Sequence, residues 1–201
     1  MNLAAMMLVA CLVDACLGWR GALHARIGHP VTWIGRLIAL LDRRWNDGDR
    51  NRRLAAGALV TILIVGLVAG LAWAVQHALP GGVVGVLVGG ILAWPFLALR
   101  SMHDHVAAVA APLRAGDLAG ARAAVAMIVG RDPAGLDDAG IARAALESLA
   151  ENSSDAIVAP VFWGIIGGLP GIAAYKAINT LDSMIGHRND RYEAFGKFAA
   201  R

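Results

Sequence analysis

Between Arg53 and Arg100 the chain runs for 46 residues, Leu54 to Leu99, without an Asp, Glu, Lys or Arg. As a single α-helix that run would extend roughly 69 Å at about 1.5 Å per residue. The hydrocarbon core of a bilayer is only about 30 Å thick. Two helices joined by a turn fit, and Pro80-Gly81-Gly82 supplies the turn. The spacing therefore predicts a transmembrane hairpin over 55–78 and 83–99. Pro95, in Trp94-Pro95-Phe96, is expected to kink or end the second helix. His77 falls beside the turn, within reach of water. Gly66, Gly70, Gly85, Gly89 and Gly90 offer surfaces on which other helices can approach closely.

Charge on the flanks orients the hairpin. Arg43, Arg44, Arg50, Arg52 and Arg53 precede it and Arg100 follows it, so both ends are expected on the cytoplasmic side with the Pro-Gly-Gly turn opposite. The N-terminal helix, 3–19, then runs from outside to inside. It carries one acid, Asp14, either a functional group within the membrane or a residue at its edge. Leu8-Val9-Ala10-Cys11 resembles a lipoprotein cleavage box, but no Lys or Arg precedes the short apolar run, so an uncleaved helix is expected. Cys11 and Cys16, five apart, point to different helix faces and do not bridge.

Composition agrees. The chain is 58% hydrophobic and 16% charged, against roughly 25% charged in soluble domains. That excludes a disordered chain, and two Cys exclude a disulfide-stapled one. A net charge of +3 is too small to argue for a nucleic-acid partner. Residues 31–45 have the pattern of an amphipathic helix. Trp33, Ile34, Leu37, Ile38, Leu41 and Trp45 share one face, Arg36, Arg43 and Arg44 lie elsewhere, and Pro30 starts it. It suits either the membrane surface or packing on the protein.

From 101 to 155 the chain turns charged. Three helices are expected, about 102–115, 118–129 and 139–152, with Asp117 and Asp138 as N-caps and Arg131-Asp132-Pro133 with Gly135 as a breaker. No nucleotide-loop or zinc motif is present. His103-Asp104-His105 is a weak metal pattern, but on a helix the three side chains fan out, so they are expected to meet water or an interface rather than a metal.

The stretch from Glu147 to Arg191 carries the chemistry. Glu147 and Glu151 stack one helical turn apart and share their face with Arg143. Alone, such a run is an ordinary solvated face. Asn152 and Asp155 follow, and then an uncharged segment, 156–175, interrupted by Pro160, Gly164, Gly167, Gly168, Pro170 and Gly171. Broken backbone at membrane depth is tolerated where it lines a cavity or re-enters. Lys176, Asn179, Asp182, His187 and Arg188 come next, in a polar C-terminal stretch, 176–201. Carboxylates and amides at both mouths of a broken apolar segment suit Mg²⁺ shared with substrate phosphates, with Lys176 and Arg188 placed to meet phosphate oxygens. A full crossing by 156–175 would put Asp155 and Asp182 on opposite sides of the membrane. A single site requires a segment that turns back.

The run Glu147-Ser148-Leu149-Ala150-Glu151-Asn152-Ser153-Ser154-Asp155, with Ala159-Pro160-Val161-Phe162-Trp163, Gly168-Leu169-Pro170-Gly171 and Tyr175-Lys176-Ala177-Ile178-Asn179-Thr180-Leu181-Asp182-Ser183-Met184-Ile185-Gly186, closely resembles the adenosylcobinamide-phosphate synthase (CobD/CbiB) family of cobalamin biosynthesis. Asp14, His29-Pro30-Val31, Gly116-Asp117, Gly130-Arg131-Asp132 and Phe195-Gly196 extend the resemblance almost end to end. It implies ATP-dependent amide formation between adenosylcobyric acid and aminopropanol or aminopropanol phosphate at the cytoplasmic (inner) membrane. Members of the family continue past the equivalent of Arg201 into an Asp-Asp-containing segment, so a chain lacking the family's C-terminal part is expected. The candidate catalytic residues are Glu147, Glu151, Asp155 and Asp182, and those for substrate are Asn152, Lys176, Asn179, His187 and Arg188. Glu151, Asp155 and Asp182 are the candidates for Mg²⁺, and ATP is co-substrate. The expected partners are the corrinoid, the amine and the lipid bilayer; the sequence leaves the oligomeric state open. A Mg²⁺-dependent prenyl or alcohol-phosphate transferase and a corrinoid permease component are the competing readings. The fold class expected is an all-α polytopic membrane protein: a transmembrane hairpin, a cytoplasmic helical region and a Pro/Gly-broken membrane segment.

Overall fold

The computed structural model describes residues 1–18, 28–130 and 132–200. Trp19, Arg131 and Arg201, included in the expectations above, lie outside the described residues. The fold is all-α, with no strand among the described residues. Its helices are α1 (Leu3–Leu17), α2 (Pro30–Trp45), α3 (Arg50–Ala78), α4 (Gly82–Ala93), α5 (Leu99–Arg114), α6 (Leu118–Val125), α7 (Asp138–Ser153) and α8 (Ala159–Ile185). A π-helical turn, Ser154–Val158, joins α7 to α8. Among the described residues, three helical stretches are long and apolar enough to cross a membrane: Arg50–Ala78, Gly82–Arg114 and Asp138–Ile185.

Local signals set the ends of most helices. His29 caps α2 ahead of Pro30, its ring nitrogen accepting from Val31 N–H. Asp49 caps α3, and the α3–α4 turn is made by a left-handed Gly82. The second helix of the hairpin stops at Ala93 rather than near 99, because Pro95 drives the chain into a short 3₁₀ turn, Trp94–Phe96. The cap of α7 is Asp137, one residue before the expected Asp138. α6 ends at Val125, four residues short of expectation, and Ile128 turns its carbonyl to the Ser148 hydroxyl.

Turn and partner are separate matters in this fold. α3 and α4 are consecutive, yet α3 packs along α8 while α4 packs along α1. Lipid gives apolar helices no hydrophobic reason to associate, so close approach through small residues matters more. A Cβ at Gly90 would collide with Val9 and Met6, one at Gly164 with Met7, and one at Gly57 with the Phe195 carbonyl. Gly66 and Gly70, expected as packing positions, instead face outward with nothing within 4 Å. Their neighbours Ile62, Leu63, Leu67 and Leu71 are also exposed, forming a surface suited to lipid.

Three apolar clusters result. Met6, Met7 and Ala10 of α1 meet Ala93, Leu97, Leu169 and Ile172. Ile34 and Ile38 of α2 meet Val60 and Ile64 of α3, Ala177, Leu181 and Ile185 of α8, and Phe195. α2 is thus packed on the protein, with Trp33 and Leu40 left exposed. The third cluster, Val109, Ala121, Val125, Ile141, Ala144 and Ala145, holds α5, α6 and α7 together as a separate unit. α8 runs on past Lys176 to Ile185, because Ala177, Leu181 and Ile185 repeat every fourth residue and stay buried. The chain beyond is tied down by polar contacts. Buried Asp42 accepts from Arg191 at 2.7 Å and from Asn46 at 2.8 Å. Arg53 donates to Asn46 and to the Asp190 and Arg191 carbonyls. The Arg50 guanidinium holds the exposed Glu193 carboxyl below its usual range.

Asp14 has a structural occupation. Its buried carboxylate accepts the Arg100 N–H at 3.3 Å. No residue at the start of α5 caps that helix with its own side chain, so an acid from α1 does so across the bundle. Asp14→Leu is expected to cost about 1–3 kcal/mol by leaving buried amides unpaired. Asp14→Asn, which keeps an acceptor, should cost less. Thermal unfolding in detergent checks the order, and equal loss in both variants would contradict it.

Candidate functional site

The site is built by a reversal inside α8. Gly168, at φ 63° and ψ −147°, breaks the helix into two arms. Asp155 and Asn179 are 24 residues apart, about 36 Å along an unbroken helix at about 1.5 Å per residue. Their side chains instead meet at 3.2 Å, Asn179 Nδ2 donating to Asp155 Oδ2. The second arm therefore returns alongside the first. At the tip a Cβ on Gly171 would collide with the Trp163 carbonyl, and the Leu169 N–H donates to Gln76 Oε1 at 2.7 Å.

At the mouth, Lys176 Nζ donates to the Asp155 backbone carbonyl at 3.3 Å, and the Tyr175 phenol stands beside the Asp155 carboxylate. Asp155 sits in the π-turn, a local widening of the helix often found at functional sites. Thr180 Oγ1 bonds back to the Lys176 carbonyl at 2.6 Å. The result is a half-buried carboxylate bonded by an amide, with a phenol beside it and an ammonium group on the same residue's backbone carbonyl. Such a group can hold or take a proton, with a cation beside it.

The other candidates flank this cluster without joining it. Glu147, Glu151 and Asn152 line an open cleft on α7 with Ser148 and residues 128–130, and Asn152 turns its amide back to the Ser148 carbonyl at 2.8 Å. α7 packs on α5 and α6, whereas the returning arm of α8 packs on α3 and α2, so the two walls diverge from the π-turn. Asp182 is exposed one turn beyond Asn179. His187 and Arg188 line a second cleft with Tyr192, Glu193 and Lys197. Among the described residues, no three His, Cys, Asp or Glu side chains gather into a cation-binding set, so Glu151, Asp155 and Asp182 are not brought together as one. At the cluster the Asp155 carboxylate offers oxygens of the kind Mg²⁺ takes, while Asn179 and Lys176 present nitrogens. With one carboxylate the cluster suits an ion completed by water and phosphate rather than a protein cage.

The profile of the CobD/Cbib protein family matches residues 7–201. The chain belongs to the CobD/Cbib family. It is 69% identical over 201 residues to the "Cobalamin biosynthesis protein CobD" of Rhodobacter capsulatus, covering 100% of this chain and 64% of that protein. A Brucella anthropi protein of the same name is 46% identical, over 96% of this chain and 60% of its own length. One from Rhizobium meliloti is 45% identical, over 97% and 61%. The chain thus spans about three-fifths of the length of these curated relatives. No solved structure matches it.

In this CobD/Cbib chain, sequence reasoning missed two residues at the candidate site, Tyr175 and Gln76. Tyr175 gave no separate signal, as a phenol at the end of an apolar segment. Gln76 did, being the one amide side chain between Leu54 and Leu99.

Proposed function

We propose that the chain takes part in cobalamin biosynthesis and supplies the membrane site at which a corrinoid carboxylate is joined to aminopropanol, or its phosphate, in an ATP-driven amide synthesis. The observation that carries this reading is the meeting of Asp155, Lys176 and Asn179 at the mouth of a reversed membrane helix. The names of the relatives supply the pathway.

A carboxylate is a poor acyl donor. In the proposed reaction its oxygen attacks the terminal phosphate of ATP and ADP departs. The amine nitrogen then attacks the acyl carbon, and inorganic phosphate leaves. Asp155 takes the proton the amine must lose, while Asn179 and Tyr175 hold its carboxylate in position. Lys176 places a positive charge beside the phosphate oxygens. His187 and Arg188 contribute on the side beyond α8, and Glu147, Glu151 and Asn152 face the substrate from α7, with Asp182 at the rim. Mg²⁺, held through Asp155, would neutralise phosphate charge. The need for ATP and the arginines at both flanks of Leu54–Leu99 support a mouth on the cytoplasmic face of the inner membrane.

The test is a chimera in which these 201 residues replace the aligned 201 of the Rhodobacter capsulatus relative. Its membranes should join labelled aminopropanol phosphate covalently to adenosylcobyric acid only when ATP is present. Corrinoid uptake into vesicles without covalent change would support the permease reading instead. Label found on a prenyl phosphate would support the transferase.

A further inference from the structure

We infer that Gln76 is a positioning residue for the Asp155 cluster: its side-chain carbonyl caps the returning arm of α8 at Leu169 and so sets the level at which Lys176 and Asn179 meet Asp155. This rests on reading that cluster as the site.

A helix that restarts after a break has first-turn amides with no partner in the preceding turn. Pro170 removes one of them, since it has no N–H. The Leu169 amide remains, on a residue that is 4% exposed, and a buried N–H left unpaired is expensive. Gln76 meets it at 2.7 Å. The fit is mutual, because a Cβ on Gly168 would collide with the Gln76 amide. The side chain occupies space that only glycine leaves open.

Register is the reason one hydrogen bond matters here. Along α3 the returning arm is held by Val60 and Ile64 against Ala177, Leu181 and Ile185, apolar groups repeating every fourth residue. A slide by one turn, about 5.4 Å, would exchange one such contact for another. The same slide would carry Asn179 out of reach of Asp155. The bond from Gln76 has a single partner and cannot be exchanged in this way.

The experiment uses the full chain in native membranes, with Cys11 and Cys16 replaced by alanine. Asp155→Cys with Asn179→Cys reports the register of the returning arm through disulfide formation. Met7→Cys with Gly164→Cys reports the first arm on α1, which Gln76 does not touch. Gln76→Leu is expected to lower cross-linking of the first pair by about fivefold or more, the size of one lost hydrogen bond, and to leave the second pair unchanged. Gln76→Glu keeps an acceptor oxygen and should restore the first pair. Full cross-linking of the first pair in Gln76→Leu overturns the inference. So does an equal fall in both pairs, which would make Gln76 a support of the whole bundle. The cross-link reads position, not turnover. Absent amide synthesis with these cross-links as expected would therefore refute the proposed activity alone.

Discussion

The Asp155→Asn change, made in the chimera with the Rhodobacter capsulatus relative, is expected to lower amide synthesis by about 10²–10⁴-fold, the range for removing a group that handles a proton in the reaction. Asparagine has nearly the same volume, and its side-chain oxygen can still accept from Asn179, which stands at 3.2 Å. The Lys176 contact is to the backbone carbonyl and survives the change. The reversal should therefore persist and the protein should enter membranes at the usual level, with only charge and basicity lost. Glu151→Gln is the informative companion. Glu151 is exposed on α7, on the wall that leaves the cluster, and if it meets substrate directly its loss should raise KM more than it lowers kcat. Steady-state assay of ATP-dependent label incorporation measures both. Near-normal turnover in Asp155→Asn would return Asp155 to a purely structural role.

How legible each part of the fold was follows from the range of the interactions involved. The α3–α4 turn, the Pro30 start of α2 and the Pro95 stop of α4 could be read because Pro, Gly and charge act on the next few residues. The pairing of α3 with α8 could not. It joins segments about a hundred residues apart, and in a stretch as uniformly apolar as Leu54–Leu99 no face is marked as inner or outer. Gly66 and Gly70 show this: by composition they look like Gly89 and Gly90, yet one pair faces outward and the other receives α1. At the site, polar residues crowding both ends of a broken apolar segment pointed to Asp155, Lys176 and Asn179. Helical periodicity also put Glu147 and Glu151 on one helix face, with Asp155 following soon after. It carried no information that α7 would leave with α5 and α6 while α8 stayed with α3. The three proposed Mg²⁺ acids were grouped by the expectation of a segment that turns back, and among the described residues they do not gather into one cation-binding set.

The change with the largest structural effect should be Gly168→Ala, a single methyl group. Its φ of 63° with ψ of −147° lies in a region essentially reserved for glycine, where another residue costs about 1–3 kcal/mol. The added Cβ would also collide with the Gln76 side chain. Displacing that side chain unpairs the Leu169 amide, for about 1–3 kcal/mol more. Together these reach about 2–6 kcal/mol, a shift of about thirtyfold or more in the equilibrium between the reversed and unreversed arm. Gly167→Ala is the control. It lies one residue earlier, with nothing within 4 Å of where its Cβ would stand, and alanine is the better helix former. Gly168→Ala should therefore abolish cross-linking between Asp155→Cys and Asn179→Cys and lower the thermal stability of the detergent-purified protein. Gly167→Ala should leave both as they were. If the two variants behave alike, the chain does not turn at Gly168, Asp155 and Asn179 have no reason to meet, and the single-site reading fails with the reversal that supports it.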